Sequence, residues 1–314
     1  MNDISKPGRK KSLAELVDTT SKKLAAMSLS AEELLGAWCN ALSFDGRTEQ
    51  TISTYQAQIA KFLDWFKENA AEEDLRRIMA IDILAYRRYL QEEGFKPATI
   101  NTALTALSAL CHWMADEGFI KENPMVEDQR LAQQQIGPRR LTKSEEFRVI
   151  QTVQKGHSRR NEAIILCILM AGLRAVEVAN LKPKALIITP KEAAINVTGI
   201  PGKHRIVPIT QALARTLGRY ALEKRISAEW LFPSQRGDKL TIRAVRHLCA
   251  AIGEKAGVEQ LNPQVLRNTY CYKLINRGID RGTVAVLIGN SQLNPNISKP
   301  NVDLQAAVAK LNYD

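Results

Sequence analysis

The stretch NEAIILCILMAGLRAVEVANL, residues 161–181, contains the pattern that most constrains the fold of the C-terminal half. It opens with an almost uninterrupted apolar run, which is typical of a helix buried on all sides. Gly172 ends that helix, and Arg174 follows where the next helix begins. Glu177 comes three residues later, within reach on the next helical turn. An arginine at such a junction favours a bound anion, and we expect a phosphate there.

The segment LNPQVLRNTYCYKLINRG, residues 261–278, places a second arginine beside an apolar helical stripe. Arg267 lies among apolar residues that recur at helical spacing, and a buried guanidinium is costly unless an anionic group meets it. Its neighbours Gln264 and Asn268 are amides, which neither take nor give a proton near neutral pH. The segment therefore predicts an anionic partner for Arg267 and no proton-transfer group beside it.

The composition is that of a globular protein of about two domains. The chain has 314 residues, of which 45% are hydrophobic. No run of about 18 uncharged apolar residues occurs, so we expect no membrane span, and the polar, basic beginning has no apolar signal core. Five scattered cysteines show no metal-ligand spacing, and they predict a reduced, cytoplasmic protein without a metal or cofactor.

Charge is distributed unevenly along the chain, whose net charge is +11. Residues 1–30 carry a net +3, and residues 31–136 carry 10 Lys and Arg against 17 Asp and Glu, a net −7. Residues 137–314 carry 28 Lys and Arg against 13 Asp and Glu, a net +15. Such an excess predicts a polyanionic partner, of which nucleic acid is the usual one. The alternative is a basic domain whose charge serves only solubility.

Helical patterns fill the first half of the chain. Ser30 precedes a helix with acidic residues in its first turn, a typical start signal. The run TISTYQAQIAKFLDWFKENA predicts a helix with one apolar face, formed by Ile52, Tyr55, Ile59, Phe62, Leu63 and Phe66. We predict a basic arm over residues 1–29, a four-helix domain over 30–128 and a polar linker over 129–140.

The second predicted domain, over residues 141–314, is mostly helical with a minor sheet. The β-branched runs LIITPKEAAINVTG and KHRIVPIT are separated by Gly and Pro, which predicts a small antiparallel sheet. Helical patterns follow over residues 210–224, 241–256, 263–277 and 280–288. The final run NVDLQAAVAKLNY predicts a short amphipathic helix whose apolar side holds Val302, Ala306, Val308 and Leu311.

The order and spacing of these motifs resemble the tyrosine recombinases, also called the phage integrase family. The resemblance rests on AGLRAVEVANL, GKHRIVPI, WLFPSQRGDKLTIRAVRHL, PQVLRNTYCYKLINRG and VAVLIGNS. Residues 31–124 look like the core-binding domain of that family, so the resemblance covers roughly residues 30–298. It implies a mostly α protein: an N-terminal helical, SAM-like core-binding domain, then a catalytic-type domain of helices and a small antiparallel sheet.

The resemblance implies double-stranded DNA as the partner. Two arginines of that family grip the scissile phosphate, and Arg174 and Arg267 match them, while Glu177 matches the acidic residue that accompanies the first. The alternative is that Arg267 pairs with Glu177 or another carboxylate inside the fold. The remaining candidate DNA contacts are Lys203, Arg205 and Arg243 in the second domain and Lys96, Thr99 and Asn101 in the first.

Several positions depart from the family pattern. Gln264, Asn268 and Asn290 stand where histidines are usual, and Ile200 stands where the family has a lysine, with Lys203 close by. The nucleophilic tyrosine is expected at position 299, which is a lysine, and no tyrosine occurs between Tyr272 and Tyr313. Strand cleavage needs a tyrosine to attack phosphorus and an acid to protonate the leaving 5′-oxygen. The pattern therefore predicts phosphate binding without cleavage.

Three hypotheses about function follow. The first is an inactive, DNA-binding protein of recombinase fold, an accessory, architectural or regulatory factor in DNA recombination or mobile-element biology, at the bacterial nucleoid and beside an active recombinase. The second is an active recombinase whose displaced nucleophile is Tyr313, acting in trans. The third is a protein-interaction module. The C-terminal helix either docks on a second copy, which gives a homo-oligomer, or packs on its own domain. No membrane partner is expected.

Overall fold

The computed structural model describes residues 29–69, 74–125, 130–132, 137–189, 192–199, 204–224, 229–234, 236–290 and 304–311. The chain divides into two compact units, Met1–Gln135 and Ile136–Asp314, each with a hydrophobic core of its own. The predicted basic arm lies almost wholly outside the described residues. Among the helices of the described ranges, none is long and apolar enough to span a bilayer.

The first unit is a helical bundle. Its helices are α1 (Ala31–Phe44), α2 (Glu49–Asn69), α3 (Ala80–Glu92) and α4 (Pro97–Asp116), with a 3₁₀ turn at Leu75–Arg77. Ser30 starts α1 as predicted: its hydroxyl accepts from the Glu33 N–H at 3.2 Å, and the Glu33 carboxylate accepts from the Ser30 N–H at 2.8 Å. The four predicted helices are confirmed.

The core of the first unit forms along one face of α2. Four of the six predicted positions are buried, and Ile52 and Tyr55 are partly buried against the same core. The ring of Phe62 meets Tyr86 of α3 edge to face, with 5.0 Å between ring centroids. An apolar face at 3.6-residue spacing therefore fixes how α2 packs.

The second unit surrounds a buried helix with further helices and one small sheet. Its helices are α5 (Lys143–Lys155), α6 (Arg159–Ala171), α7 (Ala175–Ala179), α8 (Gln211–Lys224), α9 (Ile242–Ala256), α10 (Pro263–Asn276), α11 (Arg281–Ile288) and α12 (Leu304–Ala309). A 3₁₀ turn lies at Pro183–Ala185. The strands are β1 (Leu186–Ile188), β2 (Ala193–Thr198) and β3 (His204–Pro208). They pair antiparallel in the order β1-β2-β3, with Ile195 opposite Leu186 and Val207, so the predicted sheet is confirmed.

Helix α6 is the centre of this unit, and its end positions the candidate site. Every residue from Ala163 to Ala171 is buried, as the apolar run predicts. Gly172 then adopts a left-handed backbone with φ of +63°, and a Cβ there would overlap the ring of Tyr270. Only glycine allows α6 to end this close to α10.

The C-terminal helix packs on its own unit. Val308 of α12 and Leu311, which lies just beyond the helix, are buried as predicted. Ala307 takes the place expected for Ala306, which is exposed, and Val302 lies outside the described residues. The apolar side of α12 joins a cluster that includes Tyr270, Leu274 and Leu287. The helix therefore contacts its own domain in the single chain, and its docking on a second copy stays a prediction.

Candidate nucleic-acid interface

The candidate site begins where α6 ends and α7 starts. Arg174 is the residue that caps α7, and Glu177 is the third residue of its first turn. The backbone N–H of Arg174 donates to Glu177 Oε2 at 2.7 Å, and Arg174 Nη1 donates to Glu177 Oε1 at 3.0 Å. Spacing along the sequence alone therefore brings these two predicted residues together.

Glu177 balances the charge of several arginines. Arg205 on β3 makes a bidentate pair with it, donating from Nη1 to Oε1 at 2.7 Å and from Nη2 to Oε2 at 3.0 Å. Arg267 Nη1 lies 4.0 Å from Oε2. Burial alone would raise the pKa of Glu177, but the hydrogen bonds and positive charges of Arg205 and Arg174 outweigh it and lower that pKa. The carboxylate is therefore ionised at neutral pH.

The same three arginines hold the end of α11. Arg205 Nε donates to the carbonyl of Leu287 at 2.9 Å, Arg267 Nη2 to that of Ile288 at 2.6 Å, and Arg174 Nη2 to that of Gly289 at 2.8 Å. The last carbonyls of a helix lack partners within the helix and carry its negative end. Guanidinium groups satisfy three of them in succession, so the cluster ties α11 to α7, β3 and α10.

Burial separates the two predicted phosphate-binding arginines. The side chain of Arg267 is 7% exposed, and its Nη1 also donates to the Gly172 carbonyl. Burial, and then the charge of Arg174, lowers the Arg267 pKa to about 10, which leaves the group charged at neutral pH. The Arg174 side chain is 38% exposed. An anion arriving from solvent meets Arg174 first, and the direct phosphate contact of Arg267 stays a prediction.

The amides that stand at the usual histidine positions contact each other. Gln264 Nε2 donates to Asn268 Oδ1 at 2.8 Å, and Asn268 Nδ2 donates to the carbonyl of Arg139 at 3.0 Å. Asn268 thus fastens the segment that precedes α5 onto α10. The backbone N–H of Asn290 donates to the Ala285 carbonyl at 2.9 Å, directly after the end of α11. Positions 200, 203 and 299 lie outside the described residues.

The other described candidates for DNA contact lie on α9 of the second unit and on α4 of the first. Arg243 is exposed in the first turn of α9, where its Nε lies 3.4 Å from His247 Nε2. In the first unit, Lys96 and Thr99 are exposed at the start of α4. Asn101 uses both ends of its amide on the backbone of Leu131, each at 2.9 Å. Asn101 therefore holds a chain segment, and its contact with DNA stays a prediction.

The pairing of Arg205 with Glu177 was not predicted from the sequence, and the contact of Arg205 with DNA stays a prediction. Its side chain is 13% exposed and directed at Glu177. A signal was available, because alternate residues of a strand share a face and Val207, two positions on, is fully buried. An arginine in phase with a buried valine predicts an interior partner.

Known proteins match both units of the chain. Residues 139–295 match the family model described as the phage integrase family, and residues 35–118 match that of the phage integrase N-terminal SAM-like domain. The tyrosine recombinase XerD of Pseudomonas putida is 26% identical, with 79% of this chain and 85% of that protein covered. The tyrosine recombinase XerA of Thermococcus kodakarensis is 28% identical, with 81% and 85% covered.

Solved structures share the fold at lower identity. The XerH site-specific recombinase bound to difH substrate in a pre-cleavage complex matches with a TM-score of 0.65 and 18% identity, over 97% of this chain and 86% of that one. A lambda integrase dimer bound to a COC′ core site matches with a TM-score of 0.66 and 16% identity, over 97% and 83%. The chain thus combines a SAM-like helical domain with a catalytic-type domain that contains a three-stranded antiparallel sheet.

Proposed function

Because the chain belongs to the phage integrase family, we propose that it binds double-stranded DNA without cleaving it. It acts as an accessory, architectural or regulatory factor in DNA recombination or mobile-element biology, beside an active recombinase. The observation that carries this proposal is a cluster of three arginines with a half-exposed guanidinium at its edge, next to a helix whose proton-transfer positions hold amides.

Charge and geometry support DNA binding. Arg174 offers a guanidinium to solvent while Glu177 and the Gly289 carbonyl fix its direction, so little side-chain freedom is lost when a phosphate binds. The unit around it lies in the half of the chain with a net +15. Two of the proteins that share its fold were solved on DNA sites. Phosphate contacts from this unit would supply most of the affinity.

The residues at the chemical positions argue against cleavage. Gln264 and Asn268 hydrogen-bond to each other, and neither amide can donate a proton to a leaving 5′-oxygen. In the sequence, Lys299 occupies the position of the nucleophile and Ile200 that of the lysine. The chain keeps the arginines that match the phosphate-binding positions but replaces both the nucleophile and the acid. Catalytic groups of this kind act together, so the loss of one removes most of the activity.

DNA binding is tested by its salt dependence. Affinity for a duplex selected from a random-sequence pool is measured across salt concentrations for the parent, Arg174→Ala and Arg88→Ala. Arg174→Ala is expected to weaken binding and to reduce the slope of log K against log salt by about one. Arg88 is exposed and pairs with Glu92 in the acidic first unit, so its variant is the control and is expected to match the parent. Equal slopes for all three proteins would mean that Arg174 does not contact DNA, and they would favour the hypothesis of a protein-interaction module.

A further inference from the structure

We propose that a cavity on the outer face of the β2–β3 hairpin binds a nucleotide, with its phosphate on a group of lysines and its base on the amide-lined side. The cavity has a volume of about 490 Å³ and lies wholly within the second unit. Glu177 contributes to its wall, but Arg174, Arg205 and Arg267 do not. It is therefore separate from the arginine cluster, with which it shares one carboxylate.

One side of the cavity carries excess positive charge. Lys182, Lys184 and Lys239 line it, and the ammonium groups of Lys182 and Lys239 lie 4.9 and 5.2 Å from the ring centroid of Trp230. Two cations over one indole repel each other, although the ring attracts each of them. An anion bound near both ammonium groups would relieve that repulsion.

The nearby carboxylates neutralise only one of these lysines. Glu229 pairs with Lys182 at 3.0 Å, and Glu177 is engaged by Arg205 and Arg174. Neither Lys184 nor Lys239 has a carboxylate partner in the described part of the chain. A phosphate carries the charge and the acceptor oxygens that such a site matches.

The rest of the cavity lining carries amide, hydroxyl and imidazole groups. Asn196, Thr198 and His204 share the solvent-facing side of the hairpin, because alternate residues of paired strands point the same way. Asn180 adds an amide whose buried Oδ1 has no hydrogen-bond partner among the described residues. That oxygen is closed to solvent, so exposed Asn196 carries the amide that a ligand in the cavity would meet.

Size and chemistry together select a nucleotide. A cavity of about 490 Å³ has the volume of a small-molecule site and far exceeds what a phosphate ion fills. Amide and hydroxyl groups read the donors and acceptors of a base or sugar, and Trp230 offers an aromatic edge or face. The nucleotide is either free in solution or one unit of a DNA strand. Only the second source rests on the proposed DNA binding.

Calorimetric titration of the full chain tests the site, with AMP, inorganic phosphate, a short single strand and the selected duplex as separate probes. Lys239→Gln is the variant, and Lys255→Gln, an exposed lysine on α9, is the matched control. AMP is expected to bind the parent and the control alike, and Lys239→Gln about tenfold more weakly. Thermal unfolding checks that both variants keep their fold.

The four probes separate the outcomes. If AMP binds and Lys239→Gln weakens its binding, the site takes a free nucleotide. That result holds even if the duplex does not bind. Failure of the duplex to bind would refute only the proposed function. If AMP does not bind but Lys239→Gln lowers the affinity for the single strand or the duplex, the site takes a nucleotide unit of DNA. Inorganic phosphate binding as tightly as AMP would refute the base contacts. Equal behaviour of Lys239→Gln and Lys255→Gln with every probe would overturn the site.

Discussion

Glu177 is the residue on which the arginine cluster depends. Its side chain is 1% exposed, and its two oxygens accept hydrogen bonds from Arg174 and Arg205. Its Oε2 also lies 4.0 Å from Arg267 Nη1. Buried charges of one sign are stable only when a partner of the other sign is present. Removing this carboxylate would leave three guanidinium groups facing each other.

Glu177→Gln is therefore expected to lower the free energy of unfolding by about 3 kcal/mol near neutral pH. The pKa of Glu177 is lowered in the folded chain, so its contribution is present above the unfolded value of about 4.5 and is lost as pH falls through the folded value. Urea unfolding from pH 7 to pH 3 measures both effects. The variant should lose stability less steeply in acid than the parent. Parallel pH curves for the two proteins would contradict this role.

The two family arginines are expected to differ in what they stabilise. Arg267→Ala removes hydrogen bonds to the Gly172 and Ile288 carbonyls inside the fold and should cost about 2–4 kcal/mol of stability. Arg174→Ala removes a partly exposed group and should cost less than about 1 kcal/mol. Urea denaturation of both variants measures the difference. Equal losses would mean that the exposure of Arg174 does not reflect its energetic role.

At the scale of elements, the end of α11 fits closely around Arg205. Gly289 has a left-handed backbone with φ of +65°, and an added Cβ would lie 2.7 Å from Arg205 Nη1. Gly257 ends α9 with a nearly identical φ of +62°, and a Cβ there would meet nothing within 4 Å. Comparing substitutions at Gly289 and Gly257 therefore separates the effect of contact with Arg205 from the strain of a left-handed backbone.

Gly257→Ala is expected to cost about 1 kcal/mol, which is the price of a left-handed alanine. Gly289→Ala should cost about 1–3 kcal/mol more, because Arg205 must move away from the Leu287 carbonyl and from Glu177. Thermal and urea unfolding compare the two variants. Equal costs would show that α11 tolerates displacement of Arg205 and that the arginine cluster does not fix its end.

Residue spacing and turn residues predicted the helices and strands. They did not predict the contacts between residues that are far apart in the chain. The capping pair of Ser30 and Glu33, the end of α6 at Gly172 and the three strands follow from spacing and turn residues. Arg267, by contrast, bonds to carbonyls 95 and 21 residues away. No periodicity specifies such a partner. The placement of Asn268 on the Arg139 carbonyl, 129 residues away, is unpredictable for the same reason.

At the scale of the whole molecule, the proposed function separates phosphate binding from strand cleavage. Restoring only the nucleophile by Lys299→Tyr is expected to give no cleavage of a nicked duplex, because Gln264 and Asn268 still offer no acid to the leaving oxygen. Adding Ile200→Lys, Gln264→His and Asn290→His should give at most trace cleavage. Two prolines of NPNISKPN flank position 299 and disfavour the helix that would present a nucleophile. Efficient cleavage by the single variant would show that the rest of the site is intact.

A search for a covalent protein–DNA adduct decides whether the protein binds DNA without cleaving a strand. The parent protein is incubated with a nicked form of the duplex that it selects from a random pool, and the same sample is run on native and denaturing gels. A retarded band on the native gel that disappears on the denaturing gel is the predicted result. A band that survives denaturation, mapped by peptide mass to any tyrosine, would contradict the claim; mapped to Tyr313, it would establish the displaced nucleophile.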